Sequence, residues 1–382
     1  MKTLSLTILG LSALALLPAA QAAAPSYTIV DLGVIGSGTA SQAFGASPDG
    51  GIVVGRSFAS QTQIAYSWTS QGGMVALPNL AGRKYATAND VNSAGLAVGT
   101  SAVTSFGSAP LPVMWSNGAV SALAMPQGFT SGSANGVNAA GVIAGTVGSG
   151  SVQRAVLFSA GGSSLITATA ANGSLMTSAF GINDAGLVVG IGIDPNNAAV
   201  NVGMVYDSVT GVMSTVGALA GANAAINFAV SNSGYVVGTS SINQGSGNPF
   251  IWSASTGMVA IGLPEATSQG SARGVNDQGW VVGNAGGQYS VPFLYADGAT
   301  YSLQSLLSAG SGWDLSTNTS ASAMSIANNG SIVGTVVHNG QTHAYQMTLV
   351  SSVPEPESWA LMLGGLSVLG GLARRRRQAI LG

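Results

Sequence analysis

Hydrophobic and polar positions along the chain form one pattern that recurs seven times. Each copy has a short alternating strand, a polar turn with a glycine, a hydrophobic pair that is usually Val-Val, and a second glycine. Asn, Asp or Ser opens the turn, and its glycine supplies the left-handed backbone that a tight hairpin needs. The pattern therefore predicts seven β-hairpins, at Ala46–Gly55, Val91–Gly99, Val137–Gly145, Ile182–Gly190, Val230–Gly238, Val275–Gly283 and Ile326–Gly334.

A second hairpin follows in most copies, and its first strand ends in an aromatic residue. These aromatics recur at the period of the repeat, which favours packing between repeats: Trp68, Trp115, Phe158, Tyr206, Trp252 and Tyr295. Four short strands in about 46 residues are typical of one propeller blade. A second interpretation makes Trp68, Trp115 and Trp252 a platform on which glycans stack.

The seventh copy has little room for a fourth strand before Val353, and residues 27–33 near the start of the chain match the missing strand in type. An N-terminal strand that completes the last blade closes a propeller and covers its edges. We predict an all-β fold, a seven-bladed β-propeller over residues 25–350. The alternative is an open β-solenoid, which needs no closing strand.

The repeated pattern Val-Asn-(Asp/Ala)-x-Gly-x-Val-Val-Gly resembles the HAF family of extracellular repeats. The resemblance covers most of residues 40–347. It implies an architecture and a location outside the cell, but no chemistry.

Residues 1–24 have the features of a secretion signal peptide. Lys2 precedes an apolar stretch from Leu4 to Leu17, and small residues follow it. The expected cleavage region comprises Ala20, Ala22 and Ala24, and signal peptidase is the expected partner.

The other end, residues 351–382, has three parts in a fixed order. Pro354, Glu355 and Pro356 precede a short glycine-rich apolar segment, residues 359–373, and a stop of Arg374, Arg375, Arg376 and Arg377. The arginines are expected to stay in the cytoplasm during a transient insertion into the inner membrane. This end resembles the PEP-CTERM sorting signal of Gram-negative bacteria that make exopolysaccharide, which implies recognition by an exosortase. The alternative is a plain single-pass tail anchor.

The composition excludes several classes of function. Only 6% of residues are charged, against about 25% in ordinary domains. Residues 25–352 hold five basic and ten acidic side chains, a net charge of −5, which argues against nucleic acid as a partner. With no cysteine in the chain, disulfides, thiol catalysis and cysteine metal sites are excluded.

Residues that could carry chemistry are few. His338 and His343 flank an Asn-Gly turn, whose register pairs His338 with Gln341 and His343 with Val336. No third metal ligand is near them in sequence, so we expect no metal and no cofactor. Asp49, Asp184 and Asp277 lie in the repeated turn, where capping of the backbone accounts for them. Glu265 has no carboxylate partner in sequence of the kind that a glycosidase uses.

These observations together favour an exported, non-enzymatic repeat protein of the cell surface or extracellular matrix. It would act as a scaffold or as a module that binds glycans or surface proteins, in association with exopolysaccharide. The alternative is a propeller hydrolase or lyase that attacks polysaccharide through aspartates facing its channel.

Overall fold

The computed structural model describes residues 24–350 except 60–61, 105–108, 244 and 288. Two of the three cleavage-region alanines and the whole sorting tail lie outside these residues, while Ala24 is exposed at their start. The described chain is almost entirely strand and turn, with one 3-10 turn at Leu303–Leu306. None of its helical segments is long and apolar enough to cross a membrane.

The strands form seven four-stranded antiparallel blades, and a single parallel pairing of Gln63 with Tyr85 joins the first two blades into one eight-stranded sheet. Blade 1 has β2 (Ala40–Ala46), β3 (Val53–Ala59), β4 (Thr62–Thr69) and β5 (Gly73–Ala76). Blade 2 has β6 (Tyr85–Val91), β7 (Ala97–Ala102), β8 (Leu111–Ser116) and β9 (Ala119–Ala122). Blade 3 has β10 (Ser131–Val137), β11 (Ile143–Ser149), β12 (Val152–Ser159) and β13 (Gly162–Leu165).

The other four blades repeat this order. Blade 4 has β14 (Leu175–Ile182), β15 (Leu187–Asp194), β16 (Asn197–Asp207) and β17 (Val212–Thr215). Blade 5 has β18 (Ala224–Val230), β19 (Val236–Ser241), β20 (Gly247–Ser253) and β21 (Gly257–Ala260). Blade 6 has β22 (Gln269–Val275), β23 (Val281–Gly286), β24 (Ser290–Ala296) and β25 (Ala299–Ser302). Blade 7 has β26 (Ser322–Ile326), β27 (Ile332–His338), β28 (Gln341–Val350) and β1 (Ser26–Asp31).

The first strand of the chain completes the last blade, as predicted. β1 pairs with β28 over its whole length, from Ser26 opposite Val350 to Asp31 opposite Tyr345. Just beyond β1, the Leu32 amide donates to the Ala344 carbonyl at 3.0 Å. The blades therefore form a closed ring, and the open solenoid is wrong.

The hydrophobic pair in each repeat explains how the ring is held together. Because neighbouring residues of a strand point to opposite faces, the two members enter different cores. Val236 packs between blades 4 and 5, and Val237 packs between blades 5 and 6. Seven core clusters follow this rule, one at each contact between blades, including the contact of blade 7 with blade 1.

Candidate functional site

The innermost strand of every blade carries a β-bulge at the same place in the repeat. In β18, for example, the pairing skips Phe228 between Asn227 and Ala229. A bulge inserts one extra residue and redirects its side chain. The seven extra residues all line a central channel: Phe44, Asn89, Asn135, Phe180, Phe228, Arg273 and Met324.

This channel is narrow, and its lining is aromatic and basic in some blades and formed by asparagine amides in others. On one side, the rings of Phe180 and Phe228 stack at 6.0 Å, and the Arg273 guanidinium lies 4.2 Å from the Phe228 ring centre. On the other side, Asn89 and Asn135 donate to backbone carbonyls of the next blade. The free volume at this level is about 280 Å³, so the channel is largely filled by its own side chains.

The turns between the first and second strands form one face of the ring, here called the turn face. Asparagines of these turns accept from their own backbone, as the sequence predicts: the Asn183 side-chain oxygen binds the Leu187 amide at 2.8 Å. The same asparagines also donate to the next blade, as Asn183 does to the Ser231 carbonyl at 2.9 Å. Asn92, Asn138 and Asn276 repeat this bridge.

The turn aspartates differ from one another in role. Asp49 accepts from Ser47 and from the Gly51 amide in its own turn, as expected. Asp184 instead binds the Ala139 amide of the preceding blade at 2.7 Å, and Asp277 binds the Asn232 amide at 2.7 Å. Capping of their own turns is therefore an incomplete account of Asp184 and Asp277, because sequence spacing cannot show contacts between blades.

Asp90 is a half-buried carboxyl group at the contact between blades 2 and 3, beside the central channel. Its Oδ2 accepts from the Val137 amide at 2.9 Å. It replaces the small residues that most other blades have at this position, such as Gly136 and Gly274. Burial, only partly offset by backbone hydrogen bonds, raises the pKa of Asp90 to about 7.

We expect Asp90→Asn to stabilise the protein at pH 8 and to leave its stability unchanged at pH 4. The carboxyl pKa is near 4 when unfolded and about 7 when folded, so the cost of the buried charge is absent below pH 4. This free-energy cost of the Asp90 carboxylate grows as the pH rises from 4 to 7 and reaches about 4 kcal/mol. Urea unfolding at pH 4, 6 and 8 measures it, with the exposed Asp297→Asn as the control. An equal difference between Asp90→Asn and wild type at all three pH values would contradict this assignment.

A larger cavity opens on the opposite side of the ring, here called the loop face. It has a volume of about 720 Å³ and lies along the inner strands of blades 5 and 6. Hydroxyl and amide side chains and glycine backbone line it, among them Ser246, Gln269, Asn284 and Tyr289. At its inner end it reaches Phe228 and Arg273, the residues that also line the channel.

The two histidines have the predicted register, with His338 opposite Gln341 and His343 opposite Val336. Their rings nevertheless have different partners. His338 stacks on Trp313 with ring centres 3.9 Å apart, while His343 Nδ1 lies 2.7 Å from Asp31 Oδ2. Asp31 and His343 are far apart in the sequence, so the sequence alone does not predict this contact. No group of three potential metal ligands is found within the described residues.

The aromatic stripe packs between blades. Trp115 is only 1% exposed, and its indole N–H donates to the Pro78 carbonyl at 2.8 Å. A buried ring cannot stack on a sugar, so the structure removes Trp115 from the candidate glycan platform. Trp68 and Trp252 are half-buried against two core clusters, and their role in stacking stays a prediction.

Comparison with known proteins identifies one end of the chain. Residues 352–377 match the PEP-CTERM protein-sorting motif. This motif implies an exported protein that an exosortase sorts to the surface or exterior of a Gram-negative bacterium. A search of the curated proteins finds no match to the chain, and the resemblance of the repeats to the HAF family stays a prediction.

Solved structures share the fold of the ring. Two crystal structures of virginiamycin B lyase from Staphylococcus aureus align at TM-scores of 0.53 and 0.54, with 9% and 12% identity. Each match covers 85% of this chain and 100% of the lyase chain. The Dos1 propeller aligns at 0.42 with 10% identity, over 84% of this chain and 94% of its own. At these identities the likeness concerns the fold alone.

Sequence reasoning missed the channel residues, although the repeat contains a signal for them. They stand three positions before the residue that opens the turn, and the type changes from Asn to Phe, Arg or Met between copies. The positions next to them are small in most copies, with Asp90 and Asn227 as the exceptions. A variable position inside an otherwise regular repeat faces a surface with no packing constraint, which here is the channel.

Proposed function

We propose that the protein is an exported, non-enzymatic scaffold of the cell surface or extracellular matrix that binds glycans through the loop-face cavity. The observation that carries the proposal is the cavity itself, about 720 Å³ and lined by hydroxyls, amides and glycine backbone. Its size is in the range of small-molecule sites. The sorting motif at residues 352–377 supports it, because an exported protein of this kind meets polysaccharide outside the cell.

The chemistry of the lining suits a sugar. Ser246 offers a hydroxyl, and Gln269 offers an amide that both donates and accepts. The Thr239 and Ser290 hydroxyls donate to the Gly270 and Ala321 carbonyls and can still accept from a ligand. Tyr289 adds an aromatic ring at the edge, 37% exposed. Sugars present hydroxyl groups around a ring with apolar faces, and this combination of polar groups and one aromatic complements them.

The arrangement of the aspartates supports a role without catalysis. A glycosidase uses two carboxyl groups about 5 to 10 Å apart, one on each side of the bond that breaks. Asp184 and Asp277 are instead bound to backbone amides of neighbouring turns. Neither of them lines the loop-face cavity, which contains no carboxylate among its described residues.

The test is binding of bacterial exopolysaccharide to the full-length protein, measured by co-sedimentation. Ser246→Trp places a large side chain at the exposed mouth of the cavity and is expected to weaken binding at least about 10-fold. The matched control is Ser151→Trp, at an exposed position in the equivalent turn of blade 3. Equal binding by both variants would place the glycan elsewhere. Shortening of the polymer during incubation would favour the hydrolase or lyase alternative.

A further inference from the structure

The Arg273 guanidinium is a cation without an anion. It is the extra residue of the bulge in β22 and lies 4.2 Å from the Phe228 ring centre. Its Nε is buried and has no hydrogen-bond partner among the described residues. No aspartate or glutamate of the described chain is within ion-pair distance of it.

Two other arginines of the ring have hydrogen-bond partners within the protein. Arg56, also near the channel, donates to Gln42 at 2.8 Å and lies over the rings of Phe44 and Phe58. Arg83 donates to two backbone carbonyls of blade 2. Arg273 has the aromatic contact of Arg56 but no hydrogen bond to the described residues, so its guanidinium lacks the polar partners that Arg56 has.

Ser271 is a second residue with a buried polar atom that lacks a hydrogen-bond partner in the described chain. Its Oγ is also buried and has no partner among the described residues. Ser271 is two residues before the bulged Arg273 in β22, and the side chains of both line the loop-face cavity. A buried polar group that lacks a partner costs about 1 to 3 kcal/mol. Ser271 and Arg273 differ from the other unpartnered buried groups in that both line the same cavity, where a ligand could supply the missing hydrogen bonds.

The ligand that fits is a carboxylate carried by a sugar. A guanidinium binds a carboxylate with two parallel hydrogen bonds, and a serine hydroxyl can donate a third. Burial also lowers the pKa of Arg273, a cost that a bound anion offsets. The body has a net charge of −5 over residues 25–352, so an anionic sugar is expected to bind through this local cation and not through a general attraction to the protein surface. A uronic acid unit carries one negative charge on a polyhydroxylated ring.

We propose that Ser271 and Arg273 form a carboxylate subsite at the inner end of the cavity, which binds a uronic acid unit of an acidic polysaccharide. This inference rests on the proposed function, since it names the class of glycan that the cavity binds.

The experiment compares polygalacturonate oligomers with the same oligomers after reduction of their carboxyl groups, by calorimetry with the full-length protein. Wild type is expected to bind the acidic oligomer about 10- to 100-fold more tightly than the reduced one. Arg273→Gln is expected to lose this preference, and Ser271→Ala to lose part of it. The control is Arg154→Gln, whose guanidinium donates to the Gln153 carbonyl in blade 3.

The outcomes separate the two proposals. If wild type binds both oligomers equally, the cavity binds glycan but the carboxylate subsite is overturned. Unchanged affinity of Arg273→Gln for the acidic oligomer overturns it as well. If wild type binds neither these oligomers nor neutral or acidic exopolysaccharide, both proposals fail. The affinities of wild type for the acidic and the reduced oligomer test the carboxylate subsite even if Arg273→Gln does not fold.

Discussion

Replacing Gly238 with alanine is expected to lower the free energy of unfolding by more than about 4 kcal/mol, or to prevent folding. Gly238 ends the Val-Val-Gly motif of blade 5 and lies opposite the bulge of β18. A Cβ at this position would overlap the Ile226 carbonyl oxygen of the neighbouring strand and would meet the Phe250 ring at 3.0 Å. Phe250 is fully buried, so neither neighbour has room to move.

The control for this substitution is Gly262→Ala, which follows β21 in the same blade. A Cβ at Gly262 meets only the Thr300 hydroxyl oxygen, at an ordinary 3.7 Å, and the residue is exposed. We expect Gly262→Ala to change the stability by less than about 1 kcal/mol. Urea unfolding of the two variants and wild type measures both effects. If Gly238→Ala and Gly262→Ala lowered the free energy of unfolding by similar small amounts, the two inner strands of the blade would have room for a Cβ, which would contradict this prediction.

The glycine requirement holds in every blade and is tied to the bulge. At the end of each Val-Val-Gly motif a Cβ would overlap a carbonyl oxygen of the innermost strand: Gly55, Gly99, Gly145, Gly190, Gly238, Gly283 and Gly334. Each lies opposite the bulge of its own blade. The sequence indicates a close backbone approach at these glycines, but it does not say which strand approaches.

The features that the sequence predicts are local or periodic. Turn chemistry sets the hairpins, and the Asn339-Gly340 turn sets the register of the two histidines. The period of the repeat sets the number of blades. The missing fourth strand of the last copy predicts the closure by β1. Each of these follows from spacing along the chain, which is visible without coordinates.

The features that the sequence does not predict are contacts and spaces between residues that are far apart in the sequence. Asp31 meets His343 only because the ring closes. Arg273 lies in an ordinary position of the repeat, and nothing nearby in sequence indicates that its Nε is buried without a partner. The cavity arises from the spacing of blades 5 and 6, which depends on packing of side chains from different copies.

Replacing Tyr27 with alanine is expected to cost about 3 to 5 kcal/mol, because it removes a large buried side chain and leaves a cavity. Tyr27 is 3% exposed and packs in the core between blades 6 and 7. Its hydroxyl donates to the Gly330 carbonyl at 3.1 Å, and burial raises its pKa above the usual value for tyrosine. Tyr27→Phe keeps the packing and loses this hydrogen bond alone, at a cost of about 1 kcal/mol.

Tyr27 is also the anchor of the strand that closes the ring, so its loss has a second consequence. Val30 lies on the same strand but is 44% exposed, and Val30→Ala is the matched control, with an expected loss below about 1 kcal/mol. Thermal unfolding combined with limited proteolysis at the N-terminus measures both effects. We expect Tyr27→Ala to free β1 for cleavage, which uncovers the edge of β28 and favours aggregation. If Tyr27→Ala behaves like Val30→Ala in both assays, β1 does not hold the ring closed. The predicted signal-peptide cleavage near Ala24 leaves β1 intact, whereas cleavage beyond Asp31 would remove the strand on which closure depends.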